Sequence, residues 1–361
     1  MSKKVKTRTK RHALTDINHT IGGGSVFTYK PPKVFTAKAL LDDITKKQTD
    51  AVFIFDVDPD NDQISHEMIS LEKAGVINRY FGEKNKVLIF TSNSRFEVLY
   101  KYIVEIGKIK TGFLVCNGGA LVYDIAAKKQ LFIKELGSQE KAMLSHTVQM
   151  QTLFALASSY KNDLIISSNY LETKRFQEHC YIPRQVTDDY QKFNNFIMYN
   201  HLLSILCYES NIKRLYYNHE LFTKLSEDFN INVSSNINNS WFMITSKGCN
   251  KQNAVYQILN SLNHTNINIV YYFALNTFTL DLWWLAKSNH YISSDCLANN
   301  KKFFSKNIKY DNNVFYTEKF KDLLVSILPM FEKASHKYKK HKMKRSVIVK
   351  NKRQKQTIHT N

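Results

Sequence analysis

The sequence predicts an α/β protein: a doubly wound parallel-sheet core interrupted by an inserted α/β domain. Three observations carry this expectation. From Ala51 the chain alternates apolar strand-like runs with helical ones, the order that builds a parallel sheet with helices on both faces. The same alternation returns near the end of the chain, after residue 246. Between the halves, residues 130 to 245 instead place separated strands around helical stretches, as a sheet-forming insertion would.

The elements follow in order. AVFIFDV (51–57) is a short apolar run of the kind that forms a strand buried on both faces, and HEMISLEKAGVINRYF (66–81) is helical. KVLIFTS (86–92) is a second apolar strand ending in small polar residues, and RFEVLYKYIVEIG (95–107) a second helix. GFLVCNGG (112–119) and ALVYD (120–124) are short strands around a glycine pair. In the insertion, DLIISS (163–168), LLSILCYE (202–209) and KRLYYN (213–218) are expected as strands, with ELFTKLSEDF (220–229) helical. The second half supplies a helix at AVYQILNSL (254–262), a strand at NINIVYYFAL (266–275) and the start of a helix at LDLWWLAKS (280–288). The expected organisation is a basic flexible tail over 1–33, core over 34–130, insertion over 131–245, core again over 246–333 and a second basic tail over 334–361.

Charge is distributed unevenly. The formal net charge is +20, yet residues 1–12 hold six Lys or Arg and residues 334–361 hold ten, with no acid in either stretch. The body between them is close to neutral. Such tails are either solvated ends or electrostatic contacts for RNA or another polyanion. IGGGSVFTYKPPK (21–33) reads as a flexible connection and lacks the strand and the Lys-Ser or Lys-Thr pair of a phosphate loop. No apolar run approaches the roughly 18 to 20 residues that a membrane span requires. The charged N-terminus has no apolar stretch behind it, which argues against a secretory signal. Five cysteines without a Cys-x-x-Cys pair argue for a reducing compartment and against a structural zinc. A soluble, cytoplasmic protein is expected.

The chemistry centres on FDVDPDNDQIS (55–65), where Asp56, Asp58, Asp60 and Asp62 follow a buried strand at every second position. On a strand they would share one face and repel one another. Either they form a solvated turn around Pro59, Asp60 and Asn61, or a reactive carboxylate stands at the C-terminal end of a central strand, where α/β sheets place their functional loops.

Four segments decide in favour of the second reading: FDVD (55–58); FTSNSR (90–95) with CNGGALVYD (116–124); ITSKGCNKQNAV (244–255); and FALNTFTLDLWWL (273–285). Together they resemble the haloacid dehalogenase superfamily, in particular its Cof-like branch with a large α/β cap. The resemblance covers residues 51 to about 330 and implies a Rossmannoid core, an inserted cap and hydrolysis of small phosphorylated metabolites through an aspartyl-phosphate. It implies Asp56 as nucleophile, Asp58 as general acid and base, and Lys251 as the cation that neutralises phosphate and nucleophile. It places Asn93 and Ser94 at the phosphate and Asp56, Asp58 and Asp281 around magnesium. The sequence also departs from the family. Pro59-Asp60 replaces the usual Gly-Thr, and Asn93-Ser94-Arg95 replaces Thr-Gly-Arg. The metal motif Gly-Asp-x-x-Asn-Asp aligns as Asn276-Thr277-Phe278-Thr279-Leu280-Asp281, so that only Asp281 keeps its acid. Two expectations stand: a hydrolase with an impaired magnesium and phosphate site, and a catalytically silent scaffold that meets RNA or a ribonucleoprotein through its tails.

Overall fold

Every side chain of Ala51–Asp56 (β1) is buried, so this strand must be covered on both faces, as in a parallel sheet wrapped by helices. A computed structural model of the chain describes residues 51–57, 78, 81, 86–167, 185–209, 211–236, 241–262, 269–274, 279–286, 290–292, 296 and 314–316. Both basic tails, the 21–33 connection, Asp58 to Asp62, most of the expected helix 66–81 and Asn276 to Phe278 lie outside the described residues.

After β1 come Lys86–Thr91 (β2), the short helix Phe96–Tyr100 (α1) running into a π-turn segment Lys101–Ile106, then Phe113–Cys116 (β3), Leu121–Asp124 (β4) and Lys129–Ile133 (β5). The middle of the chain forms Ser138–Met150 (α2), Phe154–Ser159 (β6), Asp163–Ile166 (β7), Gln185–Thr187 (β8), Tyr190–Tyr199 (α3), Leu202–Tyr208 (β9), Ile212–Asp228 (α4), Ile231–Asn236 (β10) and Trp241–Ser246 (β11). The last part supplies Lys251–Ser261 (α5), Ile269–Ala274 (β12), Leu280–Ala286 (α6), His290–Ile292 (β13) and Val314–Tyr316 (β14). No helix among the described residues is long and apolar enough to cross a membrane.

The strands form two sheets. The larger has the order β14-β13-β12-β1-β2-β3-β4-β5, and the smaller β10-β11-β9-β6-β7-β8. In the larger sheet β1 to β3 and β12 to β14 run parallel, while β4 and β5 add an antiparallel edge. From β1 the chain moves to one side through β2 and β3 and later returns on the other through β12. The order therefore reverses at β1, and the crevice beyond its C-terminal end is where such sheets place ligands. The smaller sheet is antiparallel except for the β7–β8 pair. It takes its strands from 154–246, so Lys129–Ile133 pairs with the larger sheet, just past the residue-130 division expected from the sequence.

One expected strand is a helix. KRLYYN lies inside α4, whose N-terminus is capped by the Asn211 side chain accepting from the amides of Lys213 and Arg214. The buried positions Leu215, Asn218 and Phe222 recur at three and four residues, a helical period. Tyr216 and Tyr217, which suggest β-structure by type, are exposed.

Alternation along β1 divides the core of the larger sheet. Phe53 and Phe55 face one side, where Phe53 stacks on Tyr271 at 4.8 Å and Phe55 on Phe273 at 4.4 Å between centroids. Val52 and Ile54 face the other and pack with Val87, Ile89 and the apolar sides of α5 and α6. The two sheets meet through polar and aromatic contacts. Asn117 Nδ2 donates to Ser204 Oγ at 3.1 Å, and Phe96 stacks on Tyr160 at 5.2 Å. Arg95, just after β2, pairs through Nε with Asp163 Oδ2 at 3.0 Å and donates to the Lys161 carbonyl. Both side chains of this pair are buried, at 7% and 1% exposure. Removing one partner of a buried pair leaves the other charge without compensation, at a cost of about 3 to 5 kcal/mol. Glu97, half-exposed and 3.5 Å from Arg95, offsets part of that charge, so Asp163→Ala should lower unfolding stability by about 2 to 3 kcal/mol in a urea titration. A loss below about 1 kcal/mol, the surface-pair range, would contradict the pairing.

Candidate active site

The site follows from strand register. Asp56 closes β1 on the face that carries Val52 and Ile54, because successive side chains alternate. In-register parallel pairing sets Thr91 of β2 and Ala274 of β12 beside it. Tyr272, two residues earlier on β12, shares that face and pairs with Ile54. The offset of two residues is roughly 6.6 Å along the strand, about the length of a phenol side chain. Its hydroxyl therefore arrives at the carboxylate.

Lys251 comes from a distant part of the chain. Gly248 turns the backbone after β11 at φ +81°, and Asn250 caps α5, its side chain accepting from Asn253 N at 2.7 Å. The loop between β3 and β4 presses against this helix start. Gly119, at φ +104°, lies so close to it that a Cβ there would collide with the Asn250 carbonyl, and positive φ is costly for other residues. Lys251, the first residue of α5, then points into the sheet with only 4% of its surface exposed.

Asp56 has no exposed surface and accepts from four side chains. Oδ1 accepts from Lys251 Nζ at 2.6 Å and Thr91 Oγ1 at 2.9 Å. Oδ2 accepts from Thr279 Oγ1 at 2.7 Å and the Tyr272 hydroxyl at 2.8 Å. Lys251 Nζ also reaches Thr279 Oγ1 at 3.2 Å, and the Thr279 amide donates to the Tyr272 hydroxyl at 2.8 Å. Burial pushes the Asp56 carboxyl up, but the Lys251 charge and hydrogen bond, with the Thr279 and Thr91 hydroxyls, outweigh it and hold the group below the ordinary carboxylate range. Burial and then the Asp56 charge push the Tyr272 phenol well up, so it stays protonated and donates.

Of the residues expected at the site, Asp56 and Lys251 come together. Asn93 and Ser94 are not among the partners of the carboxylate. Ser94 is braced in the turn after β2, its amide donating to Ser92 Oγ and its carbonyl accepting from the Asn117 amide, while Asn93 lies beside Gly118. Asp58 and the side chain of Asp281 lie outside the described residues. Thr279, at the start of α6, and the pair Thr91 and Tyr272 were not expected. The small polar end of KVLIFTS and period-two counting back along β12 are the signals that point to the latter two.

The described residues around Asp56 do not by themselves suit a hard divalent cation, which needs several charged or carbonyl oxygens. The groups facing Asp56 are one ammonium and three hydroxyls, all donating to it. Among the described residues no cluster of three or more His, Cys, Asp or Glu side chains gathers anywhere.

A family model described as haloacid dehalogenase-like hydrolase matches residues 60–273. Solved structures share the fold. A protein of Streptococcus mutans superposes with a TM-score of 0.59 at 12% identity, covering 79% of this chain and 98% of that one. A protein of Thermotoga maritima gives 0.56 at 16%, covering 78% and 96%. A haloacid dehalogenase-like hydrolase from B. subtilis gives 0.56 at 11%, covering 76% and 97%. Among curated proteins the sequence has no match.

A carboxyl more acidic when folded contributes stability that is complete above its unfolded value, near 3.8, and is lost as pH falls through the folded value. Urea midpoints from about pH 5 down to about pH 2 should therefore fall less steeply for Asp56→Asn than for the parent protein. Parallel acid limbs would show that Asp56 carries no such contribution.

Proposed function

The chain belongs to the haloacid dehalogenase-like hydrolase family, and from that premise we propose a phosphatase homologue for small phosphorylated metabolites whose phosphoryl-transfer site is impaired, leaving it weakly active or inactive. The 154–246 sheet is the cap in this reading, closing over the crevice beyond β1. Asp56 takes the nucleophile position, Lys251 holds the charge of carboxylate and phosphoryl group together, and Asp58 is the acid and base, as the sequence motif implies.

One observation carries the impairment. The Asp56 carboxylate is wholly buried with two donors on each oxygen. An attacking carboxylate needs a free lone pair aimed at phosphorus, so each attack would first break a charge-assisted hydrogen bond in a dry environment. A phosphoryl group would also have to share Lys251 with a partner already 2.6 Å away.

Hydrolysis of a generic aryl phosphate by the full-length protein across a magnesium titration tests this reading, with Asp56→Asn as control. Turnover is expected to be feeble, at least about 100-fold below the median enzyme kcat of roughly 10 per second. Robust turnover at low magnesium that vanishes in the control would sink the impaired reading.

A second reading rests on charge. The acid-free blocks at residues 1–12 and 334–361 favour a silent scaffold that docks on RNA or a ribonucleoprotein. In that case affinity for an unstructured RNA should fall steeply and log-linearly with salt, independent of its sequence, and should be lost when both blocks are removed. Salt-insensitive or sequence-selective binding in an anisotropy titration would place the interaction elsewhere.

A further inference from the structure

The hydrogen-bond directions at Asp56 go further than its burial. The Tyr272 hydroxyl accepts the Thr279 amide at 2.8 Å, and an amide can only donate. Its own hydrogen is therefore committed to Asp56 Oδ2, 2.8 Å away. The same logic holds for Thr279. Its Oγ1 lies 3.2 Å from the Lys251 ammonium, which has no acceptor, so the Thr279 hydrogen is committed to Oδ2 at 2.7 Å. Two hydroxyls with fixed polarity thus aim positive hydrogens at one carboxylate oxygen and fill both of its lone pairs, so a cation could reach Oδ2 only by displacing one of them. Oδ1 is neutralised separately by Lys251 and Thr91.

We propose that Tyr272 and Thr279 form a hydroxyl clamp that stands in for a divalent cation on Oδ2 of Asp56, making this carboxylate a structural anchor for the starts of α5 and α6. The inference rests on the impaired-phosphatase reading for its premise that a cation would otherwise sit there. It adds which residues displace the cation and what the carboxylate now does. Five side chains from β1, β2, β12, α5 and the start of α6 meet at one charge, so the anchor joins parts of the chain up to 223 residues apart. Tyr272 is a positioning residue in this arrangement.

The test uses the full-length protein and magnesium chloride alone, read by thermal unfolding against potassium chloride at matched ionic strength. The parent protein should show no magnesium-specific shift. Tyr272→Phe should lower the midpoint by about 3 to 8 °C, from the loss of a buried bond to a charged acceptor. It should also gain a magnesium-dependent rise of about 3 °C at a concentration tenfold above the dissociation constant. Adding Asp56→Asn should abolish that rise, a response that loss of packing alone cannot produce. Thr279→Val, which keeps the side-chain shape, provides the same readout independently if Tyr272→Phe fails to fold. A magnesium shift in the parent protein, or no gain in either single variant, overturns the clamp. The premise fails differently. Vigorous aryl phosphate turnover that persists in Asp56→Asn, in a protein whose unfolding ignores magnesium, would remove the impaired reading and leave the clamp standing.

Discussion

A buried carboxylate can exist only if its charge is compensated on the spot, and the structure around Asp56 is organised by that requirement. Taking a carboxylate and an ammonium out of water costs several kcal/mol per ion. The 2.6 Å contact with Lys251 repays this only because the remaining lone pairs also find donors. Each donor arrives by a different route. Thr91 comes from in-register pairing with β2, Tyr272 from the period of β12, Thr279 from the start of α6, and Lys251 from the first residue of α5. The parallel sheet, the two helices covering one of its faces and the β3–β4 loop behind α5 all contribute to one electrostatic account.

The same principle operates at the junction of the two sheets. Arg95 leaves β2 a few residues beyond Thr91 and is consumed by Asp163 and the Lys161 carbonyl of the smaller sheet. A guanidinium at this place could have faced an anionic ligand in the crevice. It instead joins two layers that also meet through Asn117–Ser204, the Phe96–Tyr160 stack and Leu203 packed into the larger sheet's core. Lys251 and Arg95 are thus both matched to partners in the chain.

Much of this was legible in the sequence. Alternating apolar runs located β1, β2, β12 and the helices α5 and α6, because buried parallel strands and amphipathic helices carry strong periodic signals. Asp56 stood out because it ends a central strand, and Lys251 because the resemblance of ITSKGCNKQNAV to the family implies its cation there. KRLYYN failed because two adjacent tyrosines resemble β-structure, while the helix is decided by Leu215 and Phe222 facing the smaller sheet. Tyr272 was passed over for another reason, although the period of β12 points to it. A strand tyrosine reads as core, and it becomes a polar partner only when three-dimensional register brings a carboxylate within reach of its hydroxyl.

The approach of Gly119 to the Asn250 carbonyl has its own consequence. The starting point of α5 is seated against main chain, so the height of Lys251 above the sheet is governed by backbone touching backbone. Contacts of this kind tolerate repacking of neighbouring side chains, since nothing at the interface can change size except the glycine itself. The lysine is therefore insulated from drift in the apolar layers above and below it, and its reach to Asp56 is geared to the tightness of a hairpin more than 130 residues away in the chain.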